Sequence, residues 1–348
     1  MTDIKRNISL ATYTALDVGG SAEQFAELHS ANSLNELPSE LLTDCTVLGR
    51  GANVLVSDDG LPGLTVVLSG NPDKFVISDS GLVTADAAHN WDDLVTTSVE
   101  GGWYGLELTS GIPGGVGAAV VGNIAAYGQA VADSLVSIRT LDRRSGQHAT
   151  LTNDDLELDY RSSNLQTKNS DLIVLSATFQ LSKQPTVELT YQSALQAAQD
   201  LSLEPTNPTA RRQIILEARS RAGSLFDGSA KTAGSFFRNP LVTPEQAGAI
   251  IRFDETGKTR TQIEKMNTVH GGDRLRVSAA HVLLAAGFKR GQSWGPVRLH
   301  PEHVLKIENT GGAMAQDIYD VAQEIIETTQ DKLTVALTSE VKYIGNFK

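Results

Sequence analysis

Apolar and polar positions divide the chain into a strand-rich first part and a helix-rich second part. Residues 12 to 28 place Gly19 and Gly20 as a turn between two short apolar segments. Thr46 to Ser57, TVLGRGANVLVS, is an apolar run, a GxG turn and a second apolar run beginning at Val54, with no helix-length pattern behind it. Leu64 to Ser69, Phe75 to Ser78, Leu135 to Leu141 and Asp171 to Leu181 read as further strands, the last apolar enough to be a central one. Asn90 is placed to cap a helix from Trp91 to about Glu100, which Gly101 and Gly102 would stop.

A helical pattern starts near Tyr191 in ELTYQSALQAAQ, and Pro205 and Pro208 mark a linker to a different domain. Helix signals dominate from Ala210 onward. Thr243, Pro244 and Gln246 form a capping box with proline at the first helical position, Ser278 to Gly287 is a capped apolar helix, and Ala315 to Lys332 is a longer amphipathic one. Leu333 to Gly345, LTVALTSEVKYIG, alternates like a strand and carries Glu340 where an apolar residue is expected.

At 348 residues, with 40% hydrophobic and 20% charged residues, the chain has the composition of a folded globular protein with two or three domains. A net charge of -12 argues against a nucleic-acid partner, because phosphate backbones need a basic face. The lone Cys45 excludes an intramolecular disulfide and a cysteine-rich metal site, and suits a reducing compartment. No segment approaches the roughly 18 apolar residues of a membrane span and the N-terminus lacks a signal-peptide core, so a cytoplasmic location without a membrane partner is expected.

One stretch stands apart. Ser110 to Gly128, SGIPGGVGAAVVGNIAAYG, holds six glycines and few large side chains, which suits close approach to its backbone. Neither phosphate fingerprint fits: Val120 breaks a GxGxxG begun at Gly115, and Gly257, Lys258 and Thr259 imitate the end of a P-loop whose first glycine is replaced by Arg252. Successive N–H groups from Gly49 through Arg50, Gly51 and Ala52 to Asn53 suit an anion-holding concavity, the alternative being a plain hairpin turn with its arginine in solvent. In AGSFFRNP, Ser235 joins a hydroxyl to two aromatics, a cation and an amide, although a turn or cap serine has the same look. Arg161 in DYRSS could pair an anion through its planar fork or lie idle at the surface. His300 and His303 have no third ligand and a proline between them, so no metal is expected. Acidic runs near Asp58 and Asp154 read as solvated surface.

Taken in order, TALDVGGSA (14 to 22), VLGRGANVLVS (47 to 57), GLELTSGIPGGVGAAVVGNIAAYG (105 to 128), YRSSNL (160 to 165), ELTYQSAL (188 to 195), GSFFRNP (234 to 240) and SEVKYIG (339 to 345) resemble the UDP-N-acetylenolpyruvoylglucosamine reductases of peptidoglycan precursor synthesis nearly end to end. The resemblance implies an α+β protein. An FAD-binding α/β fold of the vanillyl-alcohol oxidase type would occupy subdomains 1–70 and 71–205. A substrate-binding domain would follow at 206–333, and residues 334–348 would form a terminal strand bringing Glu340 to the active site. FAD would be held by Gly49, Arg50, Gly51, Ala52 and Asn53 on one side. On the other would lie Ser110, Gly111, Ile112, Pro113, Gly114, Gly117, Asn123 and Gly128.

By the same resemblance, NADPH reduces the enolpyruvyl group of UDP-N-acetylglucosamine enolpyruvate by way of FAD. Arg161 stabilises the developing charge, Glu340 assists, and Ser235 delivers the proton as general acid. Tyr191 and Asn239 match positions that contact the sugar nucleotide, and Tyr191 marks the subgroup with a tyrosine loop. A monomer is expected. Two departures stand out: Arg219-Ser220-Arg221-Ala222 puts Ala222 where relatives carry lysine, leaving Arg221 or another cation for the diphosphate, and Lys342 stands where arginine is frequent. The competing readings are a flavin oxidase of the same fold with another substrate, and a catalytically silent nucleotide-binding or scaffold protein.

Overall fold

The computed structural model describes residues 2–70, 75–225, 228, 230–253, 260–261 and 275–348. Gly257, Lys258 and Thr259, the P-loop imitation, lie outside the described residues. The chain gathers into two compact units, one of Met1–Ile8, Ser21–Gly51 and Leu61–Phe226, the other of Ser9–Gly20, Ala52–Gly60 and Asp227–Lys348.

The first strands are β1 (Lys5–Ser9), β2 (Ser21–Leu28), β3 (Thr46–Leu48), β4 (Val54–Val56) and β5 (Leu61–Leu68), with a single helical turn, α1 (Ser39–Leu42), before β3. One sheet of the first unit runs β1-β2-β5-β3, and both β2 and β3 lie parallel to β5. The hairpin alternative for Thr46 to Ser57 is thereby ruled out, because β3 and β4 pair with different partners on either side of the Gly49–Asn53 turn.

A second sheet contains β6 (Leu82–Asp86), β9 (Leu135–Asp142), β10 (His148–Thr152) and β11 (Leu172–Gln180) in the antiparallel order β10-β9-β11-β6, while β7 (Ala125–Ala126) and β8 (Gln129–Ala130) form a small hairpin. The apolar run of β11 is internal, as expected. Phe75 to Ser78 is not a strand; only Ile77 bridges, to Val83.

Helix α2 (Trp91–Glu100) starts where the sequence places it, with the Asn90 side chain accepting the N–H groups of Asp92 and Asp93. Such a cap contributes about 1 kcal/mol. Its Trp91 is fully buried, donates Nε1–H to Thr109 at 3.1 Å and meets Phe179 edge-on at 5.8 Å, which ties the helix to β11. The glycine stretch supplies the short helix α3 (Val116–Val121), and α4 (Gln192–Leu201) and α5 (Pro208–Arg221) complete the unit.

Pro205 and Pro208 are not a domain boundary. Asn207 accepts the Ala210 N–H at 2.9 Å and Pro208 opens α5, whose Ile214, Ile215 and Ala218 share a core with Ala194 and Ala197 of α4 and with Leu108. Helix α5 therefore belongs with the first unit, and the division falls at 226 and 227.

In the second unit, β12 (Lys231–Ser235), β13 (Leu241–Val242), α6 (Pro244–Phe253), β14 (Leu275–Arg276), α7 (Ala279–Ala285), β15 (Ser293–Trp294), β16 (Val297–Leu299), β17 (Lys306–Asn309), α8 (Ala315–Leu333) and β18 (Lys342–Ile344) follow in order. Its main sheet is β12-β17-β16-β15, antiparallel. The capping box of α6 forms as read: Thr243 N–H donates to Gln246 Oε1 at 2.8 Å and Gln246 N–H to Thr243 Oγ1 at 3.2 Å.

Helix α8 starts on Asp58, whose carboxylate accepts the Ala315 and Gln316 N–H groups at 2.9 and 2.8 Å, so Asp58 is a helix cap and not idle surface charge. The terminal segment is a strand only at β18, parallel to β4. From Leu333 to Thr338 the burial alternates as the sequence does, but Thr334 ends α8 in the left-handed region and no strand forms there.

Candidate functional site

The first unit concentrates its candidate residues around the glycine stretch. Gly111 sits at φ 74°, and its N–H donates to Asp92 Oδ1 at 2.7 Å. A Cβ there would stand 2.9 Å from Leu216 and 2.8 Å from Leu225, so both the conformation and the space call for glycine. At Gly117 the close approach comes from the protein itself: its N–H donates to Ala87 O at 3.0 Å, and an added Cβ would lie 2.8 Å from the Ala87 methyl. Ser110 is fully buried, with its hydroxyl on Glu107 O at 2.6 Å. Part of the glycine content that suggested a ligand thus serves packing of this unit.

The two expected cofactor segments do meet. Gly49 lies against Ala118 of α3, 3.6 Å from a virtual Cβ to the methyl. Gly51 is buried at φ 63°, and its N–H has no partner among the described residues. A buried, unsatisfied donor in a tight turn suits an anionic ligand such as a diphosphate. Beside it, Arg50 Nη2 donates to the carbonyls of Gly70 at 2.9 Å and Ala88 at 3.4 Å. These features fit FAD, with Gly49–Gly51 and the Ile112–Gly114 backbone as the groups that would hold it.

Asn123 and Arg161 are linked. Asn123, at φ 39°, donates its amide to Asp159 O at 2.9 Å and accepts the Ala132 N–H at 3.1 Å. Asp159 and Ser162 exchange backbone hydrogen bonds of 3.0 and 3.1 Å, closing a tight turn whose third residue, Arg161, has φ 53°. A non-glycine residue in this region costs about 1–2 kcal/mol, a strain found often at functional sites. The turn is fastened to the end of α3, where Val121 O accepts from Ser163 Oγ at 2.7 Å and Gln166 Nε2 at 2.8 Å. Asn123 therefore places the arginine turn as a protein contact in its own right.

Tyr127 and Gly128, at φ 50° and 87°, are the central pair of the β7–β8 hairpin, the conformation of a type I′ turn. The turn aims the Tyr127 ring at Tyr191, 5.6 Å away and edge-on. Burial raises the Tyr127 hydroxyl above its ordinary value against the opposing charge of Arg219 and a hydrogen bond with Ser193, while Tyr191 adds to the rise. Tyr191 itself immediately precedes α4 and is 48% exposed.

In the second unit, Ser235 ends β12 after a bulge between Thr232 and Ser235, a break in the ladder that re-aims the side chain. Phe236 and Phe237 behind it are buried, and Phe236 N–H is held by Leu305 O at 2.8 Å. Glu340 N–H donates to Phe236 O at 2.8 Å, and Glu340 O accepts from Asn53 Nδ2 at 3.0 Å. The chain thus brings Ser235 and Glu340 to the two neighbours of one peptide, although 105 positions separate them. Asn239 uses its side-chain oxygen to accept the first N–H of α7, from Ala279 at 2.9 Å, so the group it can offer a ligand is the amide NH2.

Arg221 turns to Asp200 and Glu217 on an exposed face. His300 and His303 each use Nδ1 to accept a backbone N–H, from Glu302 and Leu305. Among the described residues no group of three or more His, Cys, Asp or Glu could hold a metal, and no helix is long and apolar enough to cross a membrane.

Two participants had no signal in the sequence reading, Asp92, read only as part of a helix, and Arg212 on α5; Arg219 entered only as the first residue of the Arg219–Ala222 stretch. Arg212 makes a two-pronged pair with Asp92, Nη1 and Nη2 each 2.7 Å from one oxygen. Burial would raise the Asp92 carboxyl, but Arg212, the Gly111 N–H and the charge of Arg219 outweigh it and hold the group below the usual carboxylate range. The arginines recur at positions 212 and 219, two turns apart on one helix face, which is the pattern that could have pointed to them.

An anion-receptive turn beside a glycine-rich wall fits a flavin-binding protein, and the comparisons supply that class. Residues 36–152 match the family model described as FAD binding domain, and residues 226–344 match UDP-N-acetylenolpyruvoylglucosamine reductase, C-terminal domain. UDP-N-acetylenolpyruvoylglucosamine reductase 2 of Corynebacterium glutamicum is 31% identical, over 99% of this chain and 95% of the relative. The reductase of Cutibacterium acnes is 32% identical, over 97% of this chain and 90% of the relative. The crystal structure of the reductase from Thermus caldophilus shares the fold, with a TM-score of 0.68 at 23% identity over 99% of this chain and 100% of that one. The chain belongs to the UDP-N-acetylenolpyruvoylglucosamine reductase family, and its class is that of an FAD-dependent oxidoreductase.

Proposed function

We propose that this protein reduces UDP-N-acetylglucosamine enolpyruvate to UDP-N-acetylmuramate with NADPH as the electron source. The observation that carries the reading is the clasp of Ser235 and Glu340 about Phe236, in the region that matches the reductase C-terminal domain. An oxidase of the same fold gives no reason for that clasp.

FAD, when bound, supplies the chemistry that takes a hydride from NADPH and delivers it to the enolpyruvyl β-carbon. The protein must manage what remains. Hydride addition to the β-carbon leaves an electron pair at the α-carbon, delocalised into the carboxylate. Arg161, carried on its strained turn, stabilises that charge through its guanidinium. Ser235 gives its hydroxyl proton to the α-carbon, so hydride and proton together saturate the double bond. A serine hydroxyl is a weak acid, and it serves here because the accepting carbon is a far stronger base. Glu340, fixed through its backbone to Phe236, assists the proton transfer. Tyr191 and the Asn239 amide NH2 contact the sugar nucleotide. The nucleotide substrates place the reaction in the cytoplasm, and the protein acts there as a monomer.

NADPH oxidation by the purified protein, measured with and without the enolpyruvyl sugar nucleotide, tests the reading. Oxidation that depends on that compound is expected. A colourless protein that cannot be reconstituted with FAD, or oxidation indifferent to the compound, would overturn it.

A further inference from the structure

Three aromatic rings close a triangle in the second unit. Tyr319 of α8 stacks on Phe347 at 4.9 Å with the ring planes 19° apart, Phe347 meets Tyr343 of β18 at 5.6 Å, and Tyr343 meets Tyr319 edge-on at 5.2 Å. Tyr343 also reaches Phe236, 6.3 Å away, and Phe236 lies 5.4 Å from Phe237. Phe236 is where the triangle touches the peptide clasped by Ser235 and Glu340.

The segment that carries Glu340 takes its place from two short pairings. Residues 338–340 run against 236–238, with Arg238 N–H on Thr338 O at 2.9 Å, Glu340 N–H on Phe236 O at 2.8 Å and a bridge between Phe237 and Ser339. Beyond it, β18 pairs over three residues with β4 alone among the described residues. Two-stranded pairings that short are marginal by themselves, so side-chain packing has to hold them. The residues after β18 provide it. Ser57 Oγ donates to Asn346 O at 2.6 Å. Gln316 of α8 grips Lys348 with both amide atoms, Nε2 donating to its carbonyl at 2.9 Å and Oε1 accepting its N–H at 3.1 Å. Between these two anchors stands Phe347, the ring that joins α8 to β18.

We propose that Tyr343 and Phe347 are positioning residues for the proton transfer: held against α8 by Tyr319 and Gln316, they back Phe236 and so fix the peptide on whose two sides Ser235 and Glu340 are set. The proposal rests on the reductase reading for the step it serves. Reduction of the flavin by NADPH needs no proton from Ser235, so loosening the triangle acts on the second half of the cycle alone. There the geometry is demanding, because an acid displaced by about 1 Å can lose roughly a hundredfold in rate.

The test uses the holoenzyme and its Phe347→Ala, Phe347→Leu and Trp294→Leu variants. Trp294 is the control for packing: it lies on β15, at the other edge of the sheet from β12, meets Phe288 at 6.2 Å and donates Nε1–H to Glu324 of α8, so its loss loosens the same helix without touching the triangle. Rapid mixing follows flavin reduction by NADPH and reoxidation by the enolpyruvyl compound, each in H2O and D2O, with urea midpoints measured alongside. Phe347→Ala is expected to be reduced within about twofold of the parental rate and reoxidised about tenfold to a hundredfold more slowly, with a larger solvent isotope effect because proton transfer has become the slow step. Phe347→Leu should recover part of the loss. Trp294→Leu should lower the urea midpoint and leave both half-reactions within about twofold of the parent. Parental reoxidation in Phe347→Ala, equal slowing of both its halves, or equal slowing of reoxidation in Trp294→Leu overturns the proposal. If Phe347→Ala does not fold, Phe347→Leu decides by the same criteria. A parent whose reduced flavin the compound does not reoxidise defeats the reductase reading, and this proposal with it, before any variant is compared.

Discussion

The backbone N–H of Gly111 and the Oδ1 of Asp92 lie 2.7 Å apart, and the same carboxylate is gripped by both prongs of Arg212. One side chain on α2 thereby fixes the left-handed conformation of the glycine stretch and fastens it to α5. Asp92→Asn replaces an ionic fork with a neutral amide that cannot accept from Arg212 and Gly111 through both atoms. The variant should bind FAD about tenfold more weakly, as read by quenching of flavin fluorescence on titration of the apoprotein. Gly111→Ala, which forces an L side chain to φ 74°, should cost about 1–2 kcal/mol of stability and weaken FAD in the same direction. An apoprotein of either variant that takes up FAD like the parent would separate this contact from the cofactor site.

Ser235→Ala removes a proton donor and no packing of consequence, since the burial at this point comes from Phe236 and Phe237. Rapid mixing should show NADPH bleaching the flavin at the parental rate, while return of colour on adding the enolpyruvyl compound slows by two to four orders of magnitude, roughly the range of general acid catalysis. Equal slowing of both halves would make Ser235 structural. Glu340→Gln should slow the second half alone, and less severely.

How much of this was legible beforehand depends on whether the signal was local. The Asn90 cap, the Thr243–Gln246 box and α8 are written within a few residues, and each formed as read. Thr46 to Ser57 looked like a hairpin or a nest because adjacency suggests pairing, yet its strands pair with β5 and β18, a choice made by distant segments. Pro205 and Pro208 resembled a linker, but Asn207 and Pro208 in sequence are a helix start, and the apolar face of α5 decides which unit it joins. The motif residues Arg161, Ser235 and Glu340 stood out. Asp92 and Arg212 did not, because a salt bridge 120 positions apart leaves no local signal of its pairing.

Buried charge in the first unit gives a stability prediction independent of any ligand. Glu107 is fully buried, its Oε1 2.7 Å from Arg211 Nη1 and its Oε2 accepting from the Gly105 N–H at 2.8 Å and Gln129 Nε2 at 3.2 Å. Arg211→Met leaves that carboxylate uncompensated and should cost about 3–5 kcal/mol in urea unfolding. Changing both partners to apolar residues should cost much less than the single change. A single variant as stable as the parent would mean that water already reaches the pair.

His303 makes stability depend on pH in a defined direction. Burial lowers its imidazole from 6.5 to about 4, and the charges of Lys306, Arg290 and His300 act the same way. The folded protein therefore keeps His303 neutral, with Nδ1 accepting the Leu305 N–H at 3.3 Å, while the unfolded chain takes up a proton below about pH 6.5. Since the unfolded state binds more protons in that interval, stability is complete above pH 6.5 and is lost progressively as the pH falls towards 4, by roughly 3 kcal/mol at most. Asparagine at this position would offer an acceptor in nearly the same place and cannot be protonated. Urea midpoints at neutral pH and near pH 5 should thus draw apart for the parent and converge for His303→Asn. If the two proteins lose stability in parallel, the acid sensitivity lies in the carboxylates instead, with Asp92 and its depressed carboxyl the first to examine at still lower pH.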